Sequence, residues 1–125
     1  MGEVLTRKGR RAEVLVSRDE LVVMEFVLER GGAGPHFHRQ HVDSFYVLEG
    51  ELELTVDGER VRVAPGMFVA VPPETLHSFD HDAPDPVRFL NTHAPGMRFD
   101  EYIRRMDAGD ELDPAQYDSF TPHAA

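Results

Sequence analysis

Histidines are concentrated in the stretch from residue 34 to residue 50, which reads GPHFHRQHVDSFYVLEG. His36 and His38 stand two residues apart, and side chains two apart on a β-strand point to the same face. Two imidazoles on one face can both reach a first-row transition metal at about 2.1 Å. The chain has no cysteine, so any metal must be held by histidine and carboxylate ligands. Two ligands do not define a specific site, so others must be brought to them by the fold.

Short segments with β-strand character recur along the chain and are separated by turn residues. In residues 51–63, apolar and polar side chains alternate on both sides of Asp57-Gly58, a favoured two-residue hairpin turn. Many short strands at this spacing predict an all-β sandwich or barrel. The predicted strands cover residues 13–16, 21–28, 44–48, 51–56, 59–63, 67–71, 77–79 and 87–90.

Outside these strands, glycine, proline and charged residues indicate breaks, one helix and a tail. The glycines and the proline within residues 31–35 predict a break before the histidines. Residues 96–106 contain apolar side chains at helical spacing and predict one short helix, and the acidic residues after it predict a loosely packed tail. We divide the chain into an N-terminal strand region (1–20), a barrel (21–95) and a C-terminal helix and acidic tail (96–125), all within one domain.

The spacing of the residues capable of chemistry resembles the two sequence motifs of the cupin superfamily, small β-barrels of the jelly-roll type. The first motif has His-x-His, then Glu, then Gly, and here His36 and His38 are followed by Asp43 and Gly50. The second motif has Gly, Pro-x-Gly, His and Asn, and its positions are occupied here by Gly66, Pro72, Glu74, His77 and His81. The resemblance implies an all-β cupin double-stranded β-helix, a jelly-roll barrel with a short C-terminal helix.

The resemblance also implies a metal site inside the barrel, with His36, His38, Asp43 and His77 as its ligands. Asp43 is the expected catalytic residue, but its side chain is one methylene shorter than the glutamate of the family. Three arrangements are open. Asp43 binds the metal after a backbone shift, or it lies behind three histidine ligands, or His41 swings in as a further ligand.

Other departures from the motifs carry less chemistry. Glu74 and His81 replace the Gly and Asn of the second motif, and we interpret His81 and His93 as structural or surface residues. Without the third arrangement above, His41 is expected to lie in a partly exposed loop or at the rim of a pocket. The expected cofactor is one divalent transition metal, and Fe, Mn, Ni, Cu and Zn suit these nitrogen and oxygen ligands comparably.

Apolar side chains are predicted to line the barrel interior around the metal. Phe45 and Val47 have the same strand parity as Asp43, and a pocket lined in this way favours an apolar or aromatic substrate. The same side chains could simply fill the core. The candidate pocket residues are His41, Met24, Phe26, Phe37, Phe45, Val47, Phe68, Phe79 and Phe89.

Three histidines and one carboxylate leave open coordination positions, which is typical of catalytic metals and not of closed structural sites. By resemblance to quercetinase-like cupins, the favoured function is a non-haem dioxygenase-like enzyme acting on a small oxygenated substrate. The alternatives are a cupin isomerase or decarboxylase, a small-molecule-binding or regulatory cupin without turnover, and a structural cupin whose metal site has decayed.

Composition limits the partners. The net charge of −10 disfavours nucleic acid and anionic membranes as partners. No apolar stretch approaches the ~20 residues of a membrane span, and the start of the chain lacks the apolar core of a secretory signal, so we expect a cytoplasmic location. Residues 45–48, FYVL, are apolar on both strand faces. We expect another surface to cover the outer face and predict a homodimer.

Overall fold

Ten strands form two antiparallel sheets in the computed structural model, which describes residues 2–122. The predicted all-β jelly roll with a short C-terminal helix is therefore confirmed. The strands are β1 (Val4–Arg7), β2 (Arg10–Ser17), β3 (Val22–Leu28), β4 (Gly31–His36), β5 (Val42–Glu49), β6 (Leu52–Val56), β7 (Glu59–Val63), β8 (Phe68–Val71), β9 (His77–His81) and β10 (Val87–Ala94). The helix α1 spans Phe99–Asp107, and a short 3₁₀ helix spans Pro114–Tyr117.

The two sheets enclose one core. The larger sheet has the order β1-β2-β3-β10-β5-β8, and the smaller has the order β4-β9-β6-β7. Buried and half-buried residues alternate along the whole of β3 and β10, because each strand turns one face to the opposite sheet. The largest fully buried apolar side chains come from both sheets and are Phe45, Phe89, Met24, Leu52 and Leu54.

Strand β4 contains the glycines and the proline that predict a break before the histidines. The break occurs, because β3 ends at Leu28, but residues 31–36 then form a strand that was not predicted. The segment pairs antiparallel with β9, with a bulge between Ala33 and His36. At Gly32 a Cβ atom would lie 2.0 Å from the carbonyl oxygen of Phe79, so only glycine permits this close approach. The glycine that weakens the strand signal in the sequence is therefore what allows β4 to pair.

The tail is packed against the barrel, contrary to the prediction of a loose extension. Tyr117 and Asp118 are each 3% exposed, and the backbone of Phe120 pairs with that of Phe37 as an isolated β-bridge. Residues 123–125 of the predicted tail lie outside the described residues. Within residues 2–122, no helix has the length and apolar character needed to cross a membrane.

Candidate metal centre

The fold brings together the four residues that the motifs predict. His36 ends β4 and His77 begins β9, and the two face each other in the strand register. His38 follows β4, while Asp43 lies on β5 in the other sheet. One ligand atom from each of the four lies within 4.8 Å of the others. His38, Asp43 and His77 are buried and His36 is half-buried, so the cluster is accessible from the His36 side.

Backbone carbonyls fix the orientation of all three histidine rings. A carbonyl oxygen only accepts hydrogen bonds, so each ring carries a proton on Nδ1 and turns Nε2 towards the cluster. There Nε2 of His38 and His77 donates to Asp43 when it is protonated, or offers its lone pair to a metal when it is not. Metal-binding histidines are commonly oriented in this way. The Nδ1 donors and their carbonyl acceptors are His36 to Gly34 (2.8 Å), His38 to Asp118 (2.8 Å) and His77 to Thr75 (2.9 Å).

The carboxylate of Asp43 reaches the cluster despite its short side chain. Its Oδ2 lies 3.0 Å from Nε2 of His77 and 3.3 Å from Nε2 of His38. Two ligands about 2.1 Å from one metal are about 3.0 Å apart at a right angle and about 3.4 Å apart at a tetrahedral angle. The spacing and the nitrogen and oxygen donors therefore fit a divalent first-row metal.

The charges of the cluster also favour a cation. Burial lowers the pKa of His36 to about 4, so that ring is neutral at pH 7. Burial raises the pKa of Asp43, but the electrostatic interaction with His93 and hydrogen bonds from His38 and His77 outweigh it and hold this pKa well below its usual value. Burial lowers the pKa of His77, and contact with Asp43 outweighs it and raises that pKa. The site is thus an ionised carboxylate that draws a proton or a metal towards the neighbouring imidazoles.

A buried network behind Asp43 contains residues that the sequence analysis did not place in the site. Nδ2 of Asn91 donates to Oδ1 of Asp43 (2.7 Å) and to the carbonyl of Ser44 (3.0 Å). Oδ1 of Asn91 then accepts from Nε2 of His93 (2.9 Å). Burial lowers the pKa of His93 to about 3. The signal available in the sequence was strand parity, because Asn91 and His93 continue the inward face of β10 beyond Leu90, where the predicted strand stops.

His41 belongs to the same network and is not at a pocket rim. It is 1% exposed, so the expected exposed loop position is wrong. Its Nε2 lies 2.8 Å from Nδ1 of His93, and its Nδ1 lies 2.7 Å from Oδ2 of Asp118. Both nitrogens are engaged in these hydrogen bonds. His41 also forms a second group with His38 and His93, in which one ligand atom from each residue lies within 4.8 Å of the others. His93 is likewise 2% exposed, so it is not a surface residue.

Two of the candidate pocket residues lie outside the barrel interior. Phe68 is 62% exposed on the edge strand β8, because its side chain shares the outward face with its partner Tyr46. Phe37 lies between His36 and His38 in the sequence, and its side chain points to the face opposite to that of the two histidines. Its ring stacks on that of Phe120 at a centroid distance of 5.5 Å. The prediction that Phe68 and Phe37 line the interior is therefore wrong.

The other apolar candidates fill the core, and those buried in it are Met24, Phe26, Phe45, Val47 and Phe89. Phe79 is half-buried against this core.

Two surface depressions, of about 480 and 390 Å³, lie along the four-stranded sheet and contain none of the four clustered residues. His81 is buried and bonded to the carbonyl of Asp85 at 2.7 Å, consistent with its structural interpretation.

Comparison with known families decides the classification. Residues 22–93 match the family described as the cupin domain. The chain belongs to the cupin family. This cupin is 32% identical over 71 residues to quercetin 2,3-dioxygenase from Bacillus subtilis, a match that covers 57% of this chain and 20% of that enzyme. The resemblance to quercetinase-like cupins is thereby confirmed.

Further relatives share parts of this cupin. An uncharacterized HTH-type transcriptional regulator from Bacillus subtilis is 32% identical over 80 residues, covering 63% of this chain and 33% of the regulator. The chain thus spans between a fifth and a third of these two curated relatives. Among solved structures, an RmlC-like cupin from Shewanella frigidimarina has 27% identity and a TM-score of 0.69, covering 80% of this cupin and 88% of that chain. KdgF from Halomonas has 24% identity and a TM-score of 0.67, covering 74% and 86%.

Proposed function

We propose that this cupin is a metal-dependent enzyme of the dioxygenase type, acting on a small apolar or aromatic substrate that carries oxygen atoms. The observation that carries the proposal is the convergence of one ligand atom from each of three histidines and one carboxylate within 4.8 Å. The likeness to quercetin 2,3-dioxygenase supports the oxygenase class. A bound divalent metal would supply Lewis-acid chemistry and, if redox-active, electron transfer.

Each residue of the cluster has a proposed role. His36, His38, Asp43 and His77 hold the metal, and the carbonyl contacts of the three rings keep them in one orientation. Asp43 is the one carboxylate of the cluster among residues 2–122, so we assign to it the acceptance of a proton from a hydroxyl group of the substrate. The half-buried His36 marks the side from which the substrate enters.

The first test is metal content, with a matched histidine control. We expect untagged protein to contain about one divalent metal per chain after reconstitution, because four ligands converge. His36→Ala and His77→Ala should each lose it, since each removes a ligand. His81→Ala is the control, because His81 is buried and outside the cluster, and it should retain the metal. Wild-type protein that takes up no stoichiometric metal would contradict the proposal.

The second test is turnover. Metal-loaded protein should consume O₂ in the presence of a flavonol, a diketone or a catechol, and the two ligand variants should not. Conversion of a substrate under anaerobic conditions would instead indicate an isomerase or decarboxylase. Measurement in an oxygen electrode, followed by product analysis with and without O₂, separates these outcomes.

A small-molecule-binding, regulatory cupin is the second candidate. It is favoured by the 32% identity to the HTH-type transcriptional regulator, of which this chain spans 33%. For this function, metal-loaded protein binds a small molecule with a rise in melting temperature and leaves it chemically unchanged. Chemical conversion of the bound molecule would contradict it.

A further inference from the structure

The C-terminal strap, residues 113–120, lies across the loop that carries the histidine ligands. It consists of Asp113, the 3₁₀ helix Pro114–Tyr117, and residues 118–120. It lies beyond residues 22–93, which are those matched by the cupin family. Its 3₁₀ helix contacts Arg98 and the helix α1, through Gln116 and Tyr117. Asp118 and Phe120 contact residues 37–41, which connect β4 to β5 and include His38.

Asp118 makes four hydrogen bonds to this loop. Its Oδ1 accepts from the backbone N–H of Arg39 (3.1 Å), and its Oδ2 accepts from the backbone N–H of Gln40 (2.7 Å) and from Nδ1 of His41 (2.7 Å). Its carbonyl oxygen accepts from Nδ1 of His38 (2.8 Å). Burial raises the pKa of Asp118, but these hydrogen bonds outweigh it and hold the pKa below its usual value.

Phe120 holds the loop at a second point. Its backbone makes two hydrogen bonds with Phe37, of 2.9 and 3.0 Å, and the two rings stack at 5.5 Å. The guanidinium of Arg39 lies 4.4 Å from the centroid of the Phe120 ring, within the range of a cation–π contact. Because Phe37 lies between His36 and His38, the strap pairs with the backbone of the histidine motif itself.

We propose that Asp118 is a positioning residue of the metal centre, which fixes the His38 ring and its loop for coordination. The side chain satisfies loop N–H groups that are otherwise left without acceptors, and the carbonyl holds the proton of His38 on Nδ1. The ring therefore directs Nε2 at the cluster before any metal arrives. The metal part of this inference rests on the proposed function, whereas the ring orientation does not.

Asp118→Asn tests the inference in the full-length protein. Both carboxylate oxygens accept hydrogen bonds, so an amide nitrogen must face at least one loop donor, and the loop shifts. We expect Zn²⁺ affinity, measured by competition with a chelator, to fall about 10- to 100-fold, as for partners behind metal ligands in general. In metal-free protein, ¹⁵N NMR of the histidine rings should show His38 losing its uniform Nδ1–H tautomer.

Asp113→Asn is the matched control. Asp113 lies in the same strap and accepts from the backbone N–H of Ala115, but it makes no hydrogen bond to the loop among the described residues. Its affinity and His38 spectrum should equal those of the wild type. Phe120→Ala gives a second, milder perturbation, which removes the ring stack, leaves the backbone bridge possible and should weaken Zn²⁺ binding in the same direction.

The readouts separate the inference from the proposed function. If wild-type protein binds no metal but Asp118→Asn changes the His38 tautomer, the metal function is wrong and the positioning role stands. A His38 ring unchanged in Asp118→Asn overturns the inference, whatever happens to affinity. Equal losses of affinity in Asp113→Asn and Asp118→Asn also overturn it, since the strap would then act only through general stability.

Discussion

Asp43 carries a negative charge at a position that is 3% exposed. A buried carboxylate is costly unless hydrogen bonds and opposite charges compensate it. Asn91 donates to one oxygen, and Nε2 atoms of His38 and His77 approach the other. These three side chains leave little space around the carboxylate. A cation bound beside the histidines would compensate the negative charge of Asp43 further.

Replacement of Asp43 by the glutamate of the family should weaken metal binding. The aspartate carboxylate already lies at ligand spacing from His77 and His38, so an added methylene must be absorbed by a packed network. We expect Zn²⁺ affinity of Asp43→Glu to fall about tenfold, as for a modest displacement of a ligand. The measurement is competition with a chelator.

Asp43→Asn is the companion variant, because it keeps the shape of the side chain and removes the charge. It should also bind Zn²⁺ more weakly than the wild type. Tighter binding by Asp43→Glu would contradict this expectation and would indicate that the aspartate is one methylene too short, as the sequence comparison alone suggested.

Individual residues differ in how well their positions could be predicted. Motif spacing predicted that His36, His38, Asp43 and His77 meet, and they do, because strand register converts spacing into position. Glu74, a departure from the motif glycine, has φ 65°, so it adopts the left-handed conformation that glycine favours there. Asp118 could not be predicted, because its contacts with His38 and His41 join positions about 80 residues apart and depend on how the tail packs.

At the scale of the strands, the connection between β5 and β6 depends on Gly50. Gly50 has φ 76°, and a Cβ atom there would lie 2.6 Å from the carbonyl oxygen of Pro86. Gly58, in the hairpin between β6 and β7, has φ 84°, and a Cβ atom there would meet nothing within 4 Å. The two glycines therefore share backbone strain and differ in crowding.

Gly50→Ala should destabilise the fold more than Gly58→Ala. The left-handed conformation costs a non-glycine residue about 1–2 kcal/mol, so Gly58→Ala should lower the free energy of unfolding by about that amount. Gly50→Ala has the same cost plus a clash with backbone that cannot easily move. Urea denaturation of both variants measures the difference, and equal losses would contradict the role assigned to the close approach.

Prediction of the elements succeeded where local patterns determine them. The hairpin of β6 and β7 has alternation and an Asp-Gly turn, and α1 has helical spacing with acidic residues early and basic residues late. Strand β4 and the strap lack such patterns. Both are held by partners remote in sequence, β4 by β9 and Phe120 by Phe37, so no local signal announces them.

At the scale of the whole molecule, the outer face of the larger sheet carries an apolar patch. Tyr46 pairs with Phe68 on one side and with Leu90 on the other, and Tyr46 and Leu90 are half-buried. The exposed Phe68 ring lies 6.4 Å from that of Tyr46. This patch is where the predicted homodimer would form, with a second copy of the chain covering the outer face of β5.

Phe68→Ser should convert the proposed dimer to a monomer. The side chain is the most exposed large apolar group of the patch, and its removal takes away an aromatic anchor of the kind that dominates interface energies. Val4→Ser is the control, because Val4 is 45% exposed on β1, at the opposite edge of the same sheet. The measurement is sedimentation equilibrium at micromolar concentration.

Salt gives a second readout of the same association. Each chain carries a charge of −10, so two copies repel each other, and added NaCl should strengthen an apolar dimer by screening that repulsion. A wild-type protein that is monomeric at micromolar concentration in both low and high salt would contradict the dimer.

The hydrogen bond from His38 to Asp118 also has a consequence for biosynthesis, because its partners are 80 residues apart. At about 5–20 residues per second, a ribosome needs roughly 4–16 seconds to synthesise the residues between His38 and Asp118. During this interval the nascent chain contains its first two histidines without the carbonyl that orients one of them. His77 is also made about 40 residues after them. Under the proposed function, high-affinity metal capture therefore has to wait until Asp118 has been synthesised and has folded onto the loop, and the polypeptide that precedes this step has little ability to trap a stray ion.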